Sequence, residues 1–374
     1  MLAVAMGVGR FAYTPLLAVM RHDAGLSVAM SGALASTNLA GYLIGALVAT
    51  NGALRSRRYV ALCVAAAVVV VTTAAMALPE AWWLATRFVT GVASGIAFVL
   101  TVSLMLDGAA RTRSTHGIAL AFSGVGLGIA FAGIAVPVLA SFGGSRLAWI
   151  GLAVVSAALL AFALPRLADE PATVAAAPAP VRTSVGGGGF VWLCVAYGIE
   201  GFAYIIPATY LVAMIDQTPG LAHYSAATWV VVGLCAAPGA ATWNAAGRRF
   251  GKDAALVAAL VVQALGLLAT VAFPGIGGAL AIAVTLGTTF VGITAVASAL
   301  ARDMRPLETN AAVGTLTVVY GVGQIAGPLV AVRVSLATGR YRDAFVVAAV
   351  ALLAGAALYA ARLAFARSRA RDAA

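Results

Sequence analysis

Residues 59–78 read YVALCVAAAVVVVTTAAMAL, a run with no charge, no proline and no glycine. A helix rises about 1.5 Å per residue and the hydrocarbon core of a bilayer is about 30 Å thick, so such a run is one crossing long. The same design repeats along the chain. Cutting at charges, prolines and glycine clusters divides it into twelve apolar stretches: 2–19, 28–50, 59–78, 82–106, 118–142, 147–164, 189–214, 225–246, 254–273, 278–301, 311–332 and 344–364. Of 374 residues, 63% are hydrophobic and 9% charged, against roughly 25% charged in soluble domains. No water-facing surface can be assembled from this composition. The expectation is an all-α membrane protein of twelve transmembrane helices, with lipid as a partner over its outer surface.

The net charge of +11 lies in short basic clusters between the apolar runs. It forms no basic face or tail, which excludes a nucleic-acid partner. With the N-terminus in the cytoplasm, sixteen Lys and Arg fall on cytoplasmic segments and five outside, leaving Arg10 and Arg87 within the bilayer. The positive-inside rule then places both termini in the cytoplasm of a multi-pass protein, expected in a bacterial inner (plasma) membrane. The chain opens apolar, without a basic n-region or cleavage site, so no signal peptide is expected.

Chemistry-bearing clusters are sparse. Cys63, Cys194 and Cys235 lie in separate apolar runs without metal or redox spacing. His22, His116 and His223 fall in different loops, and no HExxH, GxSxG or Walker string occurs. The run Gly124-Val-Gly126-Leu-Gly128 lacks the strand and later acid of a dinucleotide site. No catalytic set, metal or cofactor is expected, and no use of ATP within the chain.

The longest polar connection is 165–188, Pro/Ala-rich and then Gly-rich, which reads as a cytoplasmic linker. It separates a bundle at 1–164 from a bundle at 189–374, six runs each. The halves echo each other. Arg10-Phe11-Ala12-Tyr13 is matched by Gly201-Phe202-Ala203-Tyr204, and Gly124-Val-Gly126 by Gly321-Val-Gly323. A basic cluster follows the second run (Arg55 to Arg58) and the eighth (Arg248 to Lys252). An aspartate follows the fourth (Asp107) and the tenth (Asp303). The constant order points to two pseudo-symmetric six-helix bundles related by an axis along the membrane normal.

On these residues the chain resembles a known family. Gly7-Val-Gly-Arg-Phe-Ala-Tyr-Thr-Pro-Leu-Leu17 resembles the first-helix signature of the YbfB/YjiJ-type branch of the major facilitator superfamily. Arg87-Phe-Val-Thr-Gly91-Val-Ala-Ser-Gly95 resembles that superfamily's fourth-span motif, whose arginine the family links to proton coupling. Asn51-Gly-Ala-Leu-Arg-Ser-Arg-Arg58 keeps the basic end of the loop motif after the second span and lacks its aspartate. Gly314, Gly323, Gly327 and Pro328 match the antiporter motif's spacing, but that motif belongs in the fifth span, where Pro137 comes one place early. The resemblance implies the major facilitator fold and solute transport by alternating access, and it names no substrate.

Ionised groups inside membrane runs usually face protein or a watery cavity. Arg10, Arg87 and Glu200 are therefore the leading candidates for solute binding, with Glu200 and Arg87 also assigned to proton coupling. Arg10 and Glu200 lie at similar depths on runs related by the repeat, so a direct pair across the halves is sensible. Alternatively each is satisfied within its own half, and Arg87 can snorkel to the outer interface. At helical spacing Tyr13 and Thr14 share the face of Arg10, Tyr197 and Tyr204 flank Glu200, and Thr90 and Ser94 share the face of Arg87. Asn38 with Tyr42, and Tyr320 with Gln324, each sit one turn apart; such amides either line a cavity or bond across helices. Thr285, Thr288 and Thr289 are weaker candidates, since threonine can bond its own helix.

Two arginines against one glutamate favour an anionic or zwitterionic small-molecule solute, such as a small carboxylate. Burial favours the neutral acid at Glu200 and a nearby arginine favours the carboxylate. A solute anion on the arginine would let Glu200 take a proton. The expected function is thus a secondary active transporter, proton-coupled and working as a monomer. The alternative is a non-transporting membrane sensor or scaffold on the same fold.

Overall fold

A computed structural model describes residues 1–49, 54, 57–112, 116–167, 188–306 and 309–372. Most of the expected linker (168–187) and of the loop motif after the second run lies outside the described residues. No strand occurs among the described residues. Eleven helices are long and apolar enough to cross a membrane. They are α1 (Ala3–Asp23), α2 (Val28–Val48), α3 (Arg58–Ala75), α4 (Trp83–Thr112), α5 (His116–Leu167), α6 (Gly188–Asp216), α7 (Ser225–Phe250), α8 (Lys252–Ala272), α9 (Ile276–Met304), α10 (Thr309–Thr338) and α11 (Tyr341–Asp372). In lipid every backbone group must be satisfied internally, which is why these apolar runs resolve into helices.

Helix α5 covers both expected runs 118–142 and 147–164. It is not straight: Gly143 and Gly144 leave the helical region, Gly144 at φ 63° and ψ −161°. That positive φ suits glycine, and a Cβ there would meet the Asp23 carboxylate at 2.3 Å. Asp23, at the end of α1, accepts the Ser145 N–H at 2.5 Å. The carboxylate thus restarts the helix as an N-cap does, dividing α5 into arms at 116–142 and 145–167.

The packing pattern occurs twice. Helix α2 packs on α4 as α7 packs on α9, and α3 on α4 as α8 on α9. Helix α1 lies against α5 as α6 lies against α10 and α11. Three contacts join early to late helices: α1 with α6, α2 with α10, and α5 with α7. Glycines permit the closest of these approaches. A Cβ at Gly45 would lie 2.0 Å from the Val92 carbonyl oxygen, and one at Gly91 2.1 Å from the Asn38 carbonyl oxygen. Gly126 and Gly233 play the same part between α5 and α7, so the glycine run near residue 124 serves helix packing. Large apolar side chains such as Val60, Val64, Val71 and Phe142 point outward, as a lipid-facing surface requires.

The repeated polar marks also meet. Lys252 at the start of α8 contacts Asp303 near the end of α9 at 2.5 Å. Both are substantially exposed, so the bond adds only about 0–1 kcal/mol.

Candidate functional site

The three buried charges point into the bundle. Arg10, Arg87 and Glu200 are 7%, 2% and 0% exposed. Arg87 therefore does not snorkel to the interface.

Arg10 sits in a π-helical stretch, Ala3–Phe11, which gives way to α-helix at Tyr13. π-helical turns are rare and recur at functional sites. The change of winding separates residues that regular helical spacing places together. The Arg10 Nη2 donates to the Tyr204 hydroxyl on α6 at 2.7 Å, and its guanidinium lies 4.6 Å from the Tyr42 ring centroid. Thr14 donates to the Ala208 carbonyl, also on α6. Tyr13 instead turns toward α2 and α4: its hydroxyl donates to the Ser31 carbonyl at 2.9 Å and its ring lies under the Arg87 guanidinium at 4.6 Å. The single face expected for Arg10, Tyr13 and Thr14 is thus split in two.

Arg87 Nη1 donates to the Gly9 carbonyl at 3.3 Å. Asn38 donates to the Arg87 carbonyl at 2.9 Å, so its amide ties α2 to α4. Thr90 and Ser94 bond carbonyls of their own helix, at Thr86 and Gly91. The Nε atoms of Arg10 and Arg87 are buried and without a hydrogen-bond partner. The two guanidiniums are near enough to feel each other's charge. No carboxylate lies within 4.0 Å of either among the described residues. Buried cations are normally paired, because desolvating each costs several kcal/mol.

Glu200 does not pair with Arg10. Its Oε2 accepts from Gln263 Nε2 on α8 at 3.1 Å, and Gln263 Oε1 accepts from Thr289 on α9 at 2.6 Å. Its Oε1 has no partner. Satisfaction within the later helices is the arrangement found. Thr285 and Thr288 bond their own helix, leaving Thr289 as the one of the three threonines that reaches across. Gln263 is the polar partner that sequence reasoning missed. Its signal was available: it is the one amide in the apolar run 254–273.

Between Arg10 and Glu200 stands a column of rings. Tyr197 stacks on Tyr320 with centroids 4.4 Å apart, Tyr320 on Tyr204 at 5.4 Å, and Tyr204 on Phe290 at 5.8 Å with planes 2° apart. Gln324 donates to the Tyr204 hydroxyl, which therefore accepts from Gln324 and Arg10 together. Tyr320 and Gln324 thus reach the centre as their one-turn spacing suggests. Beside the column runs a crevice walled by Phe11, Tyr204, Trp229 and Phe290 over an aliphatic floor of Ile129, Val232 and Leu286. It holds about 180 Å³ of interatomic space, so narrow that no water-sized sphere fits. The aqueous pocket expected at mid-membrane is closed in this conformation.

Toward the far end of α1 the contacts continue in register. Arg10–Tyr204, Thr14–Ala208 and His22–Asp216 are each 194 positions apart, the last a 2.6 Å contact. Arg21 donates to the Tyr341 hydroxyl at 2.6 Å beside it. Two parallel helices in contact at turn spacing form a seam from mid-depth to one surface. Among the described residues no group of three His, Cys, Asp or Glu side chains could hold a metal.

Comparison with known proteins agrees with this architecture. Residues 2–360 match the family described as "Uncharacterised MFS-type transporter YbfB". A search of curated protein sequences returns no match. Among solved structures, the crystal structure of the nucleoside transporter NupG is similar, with a TM-score of 0.73 at 14% identity, covering 96% of each chain. At that identity the likeness speaks for the fold alone.

Proposed function

Since the chain belongs to the YbfB-type family of major facilitator superfamily transporters, and is therefore a multi-pass membrane transporter, we propose that it is a proton-coupled secondary carrier of a small anionic or zwitterionic solute. In this reading the arms of α5 count as two crossings, giving twelve, with both termini in the cytoplasm and the protein in a bacterial inner membrane. The bundles at 1–164 and 189–374, joined by the 165–188 linker, rock against each other as a monomer. The duplicated packing and the three contacts joining the halves support that division.

One observation carries the choice of solute: two buried guanidiniums with unpartnered Nε atoms and no carboxylate within 4.0 Å among the described residues. A solute anion would supply the missing counter-charge and offset desolvation already incurred in folding. Arg10 is assigned the anion contact, with Arg87 behind it supplying field. Tyr13, Thr14, Asn38, Tyr197, Tyr204, Tyr320 and Gln324 are assigned to shaping and lining the site.

Glu200 is assigned the coupled proton. With the site empty, the field of the two arginines favours the carboxylate. A bound anion cancels that field, and Glu200 then takes a proton, so anion and proton enter the closed state together. Opening the α1–α6 seam exposes the site to one side, and separating the opposite ends of the bundles exposes it to the other.

The test is uptake of radiolabelled carboxylates into proteoliposomes under an imposed pH gradient. Saturable uptake driven by an acidic outside, lost in Arg10→Met, is the expected result. Uptake indifferent to Arg10, or a preference for cations, would overturn the assignment.

A further inference from the structure

The anion reading leaves the body of the solute open, and the crevice beside Arg10 restricts it. We propose that this crevice takes a flat aromatic carboxylate, its ring against Tyr204 and Phe290 and its carboxylate on Arg10. The inference rests on the preceding assignment of Arg10 and adds the shape and chemistry of what the anion is attached to.

Three features carry it. First, the walls are flat and mutually aligned. Tyr204 and Phe290 lie parallel within 2°, while Phe11 meets Phe290 edge-on, with centroids 5.9 Å apart and planes at 63°. Stacked and edge-to-face partners are the two arrangements in which an aromatic ring gains beyond simple area burial. A rigid ring also loses no rotamer freedom on entry.

Second, the crevice is dry and its floor is aliphatic. A sugar or other polyhydroxylated solute would leave its hydroxyls unsatisfied there. Apolar pockets with few polar groups at their edges suit an apolar body with one charged end.

Third, the unpartnered polar atoms suit such a solute. Arg10 donates to Tyr204 and lies 5.2 Å from the Phe11 ring, both of them crevice walls, and its Nε has no partner. Trp229, 1% exposed, also lines the crevice and its indole N–H is unpartnered. The guanidinium fits the carboxylate, and the indole N–H fits an acceptor substituent on the ring. The crevice draws walls from both halves, with Phe11 on α1, Tyr204 on α6, Trp229 on α7 and Phe290 on α9. An occupant there would bridge the halves.

The test uses the full chain in detergent with three probes: benzoate, cyclohexanecarboxylate and benzamide. Binding is read by thermal shift and by quenching of tryptophan fluorescence. Benzoate should bind at least about tenfold more tightly than either of the others, because each lacks one of the two features recognised. Phe290→Leu, which keeps apolar volume, should lower benzoate affinity and leave that for cyclohexanecarboxylate unchanged. Trp229→Phe should fold with the ring wall intact and lose most of the quenching by benzoate. Equal affinity for benzoate and cyclohexanecarboxylate would overturn the aromatic assignment and leave the anion reading standing. Equal affinity for benzoate and benzamide would remove the anion reading on which the proposal rests. Absence of binding by all three probes would overturn the proposal.

Discussion

Glu200 is the one acidic side chain among the buried polar and charged residues. If it carries the coupled proton, the stoichiometry is one proton per cycle, and that fixes a thermodynamic ceiling. A pH difference of one unit is worth about 1.4 kcal/mol per proton, so a monoanion entering with one proton should accumulate roughly tenfold per pH unit. The movement is electroneutral, so a membrane potential should leave the ratio unchanged. Glu200→Gln mimics the protonated acid at constant volume. The amide oxygen can still accept from Gln263 Nε2, now at 3.1 Å from the carboxylate. Stability should therefore change by less than about 1 kcal/mol. In proteoliposomes the variant should lose all gradient-driven accumulation and keep solute exchange across the membrane, which needs no proton to be released. Accumulation near the tenfold ceiling by Glu200→Gln, or a wild-type ratio that follows the membrane potential, would refute the reasoning.

Other outcomes follow from the same geometry. Arg10→Met removes a buried charge without a counterion, so the empty protein should melt at the same temperature or higher, while carboxylate affinity falls by at least about 30-fold, the low end for losing one partner of a buried charge pair; thermal shift with and without benzoate measures both. Gly91→Ala places a Cβ 2.1 Å from the Asn38 carbonyl oxygen and should destabilise the chain by about 1–3 kcal/mol as overpacking does, seen as a lowered melting temperature. Asp23→Ala removes the cap on Ser145 and should cost about 1 kcal/mol, with Asp23→Asn losing less.

The parts of the fold readable in sequence are those with a strong local signal. Uninterrupted apolar runs place the helices because lipid leaves the backbone no other way to be satisfied. Arg10, Arg87 and Glu200 stand out because charge in such a run must be turned inward, and all three are buried. What could not be read depends on contacts between distant segments. The end of α1 is one case: Phe142-Gly-Gly-Ser145 marks a break, but its capping group is Asp23, 122 positions earlier. The π-helical winding before Tyr13 is another. It turns Tyr13 toward Arg87 and away from Arg10, which no 3.6-residue rule anticipates. Trp229 and Phe290 gave no signal at all, since an aromatic in an apolar run packs against lipid as readily as against a site. The Glu200–Gln263 bond joins α6 to α8, and nothing near Glu200 in sequence distinguishes that partner from Arg10.

The seam between α1 and α6 offers the most direct test of alternating access. His22 and Asp216 touch at 2.6 Å at its surface end. Cysteines at both positions, in a background without Cys63, Cys194 and Cys235, can be oxidised to a disulfide that holds this side shut. The account predicts that the oxidised protein transports nothing and that reduction restores uptake. Full-rate transport by the cross-linked protein would contradict it.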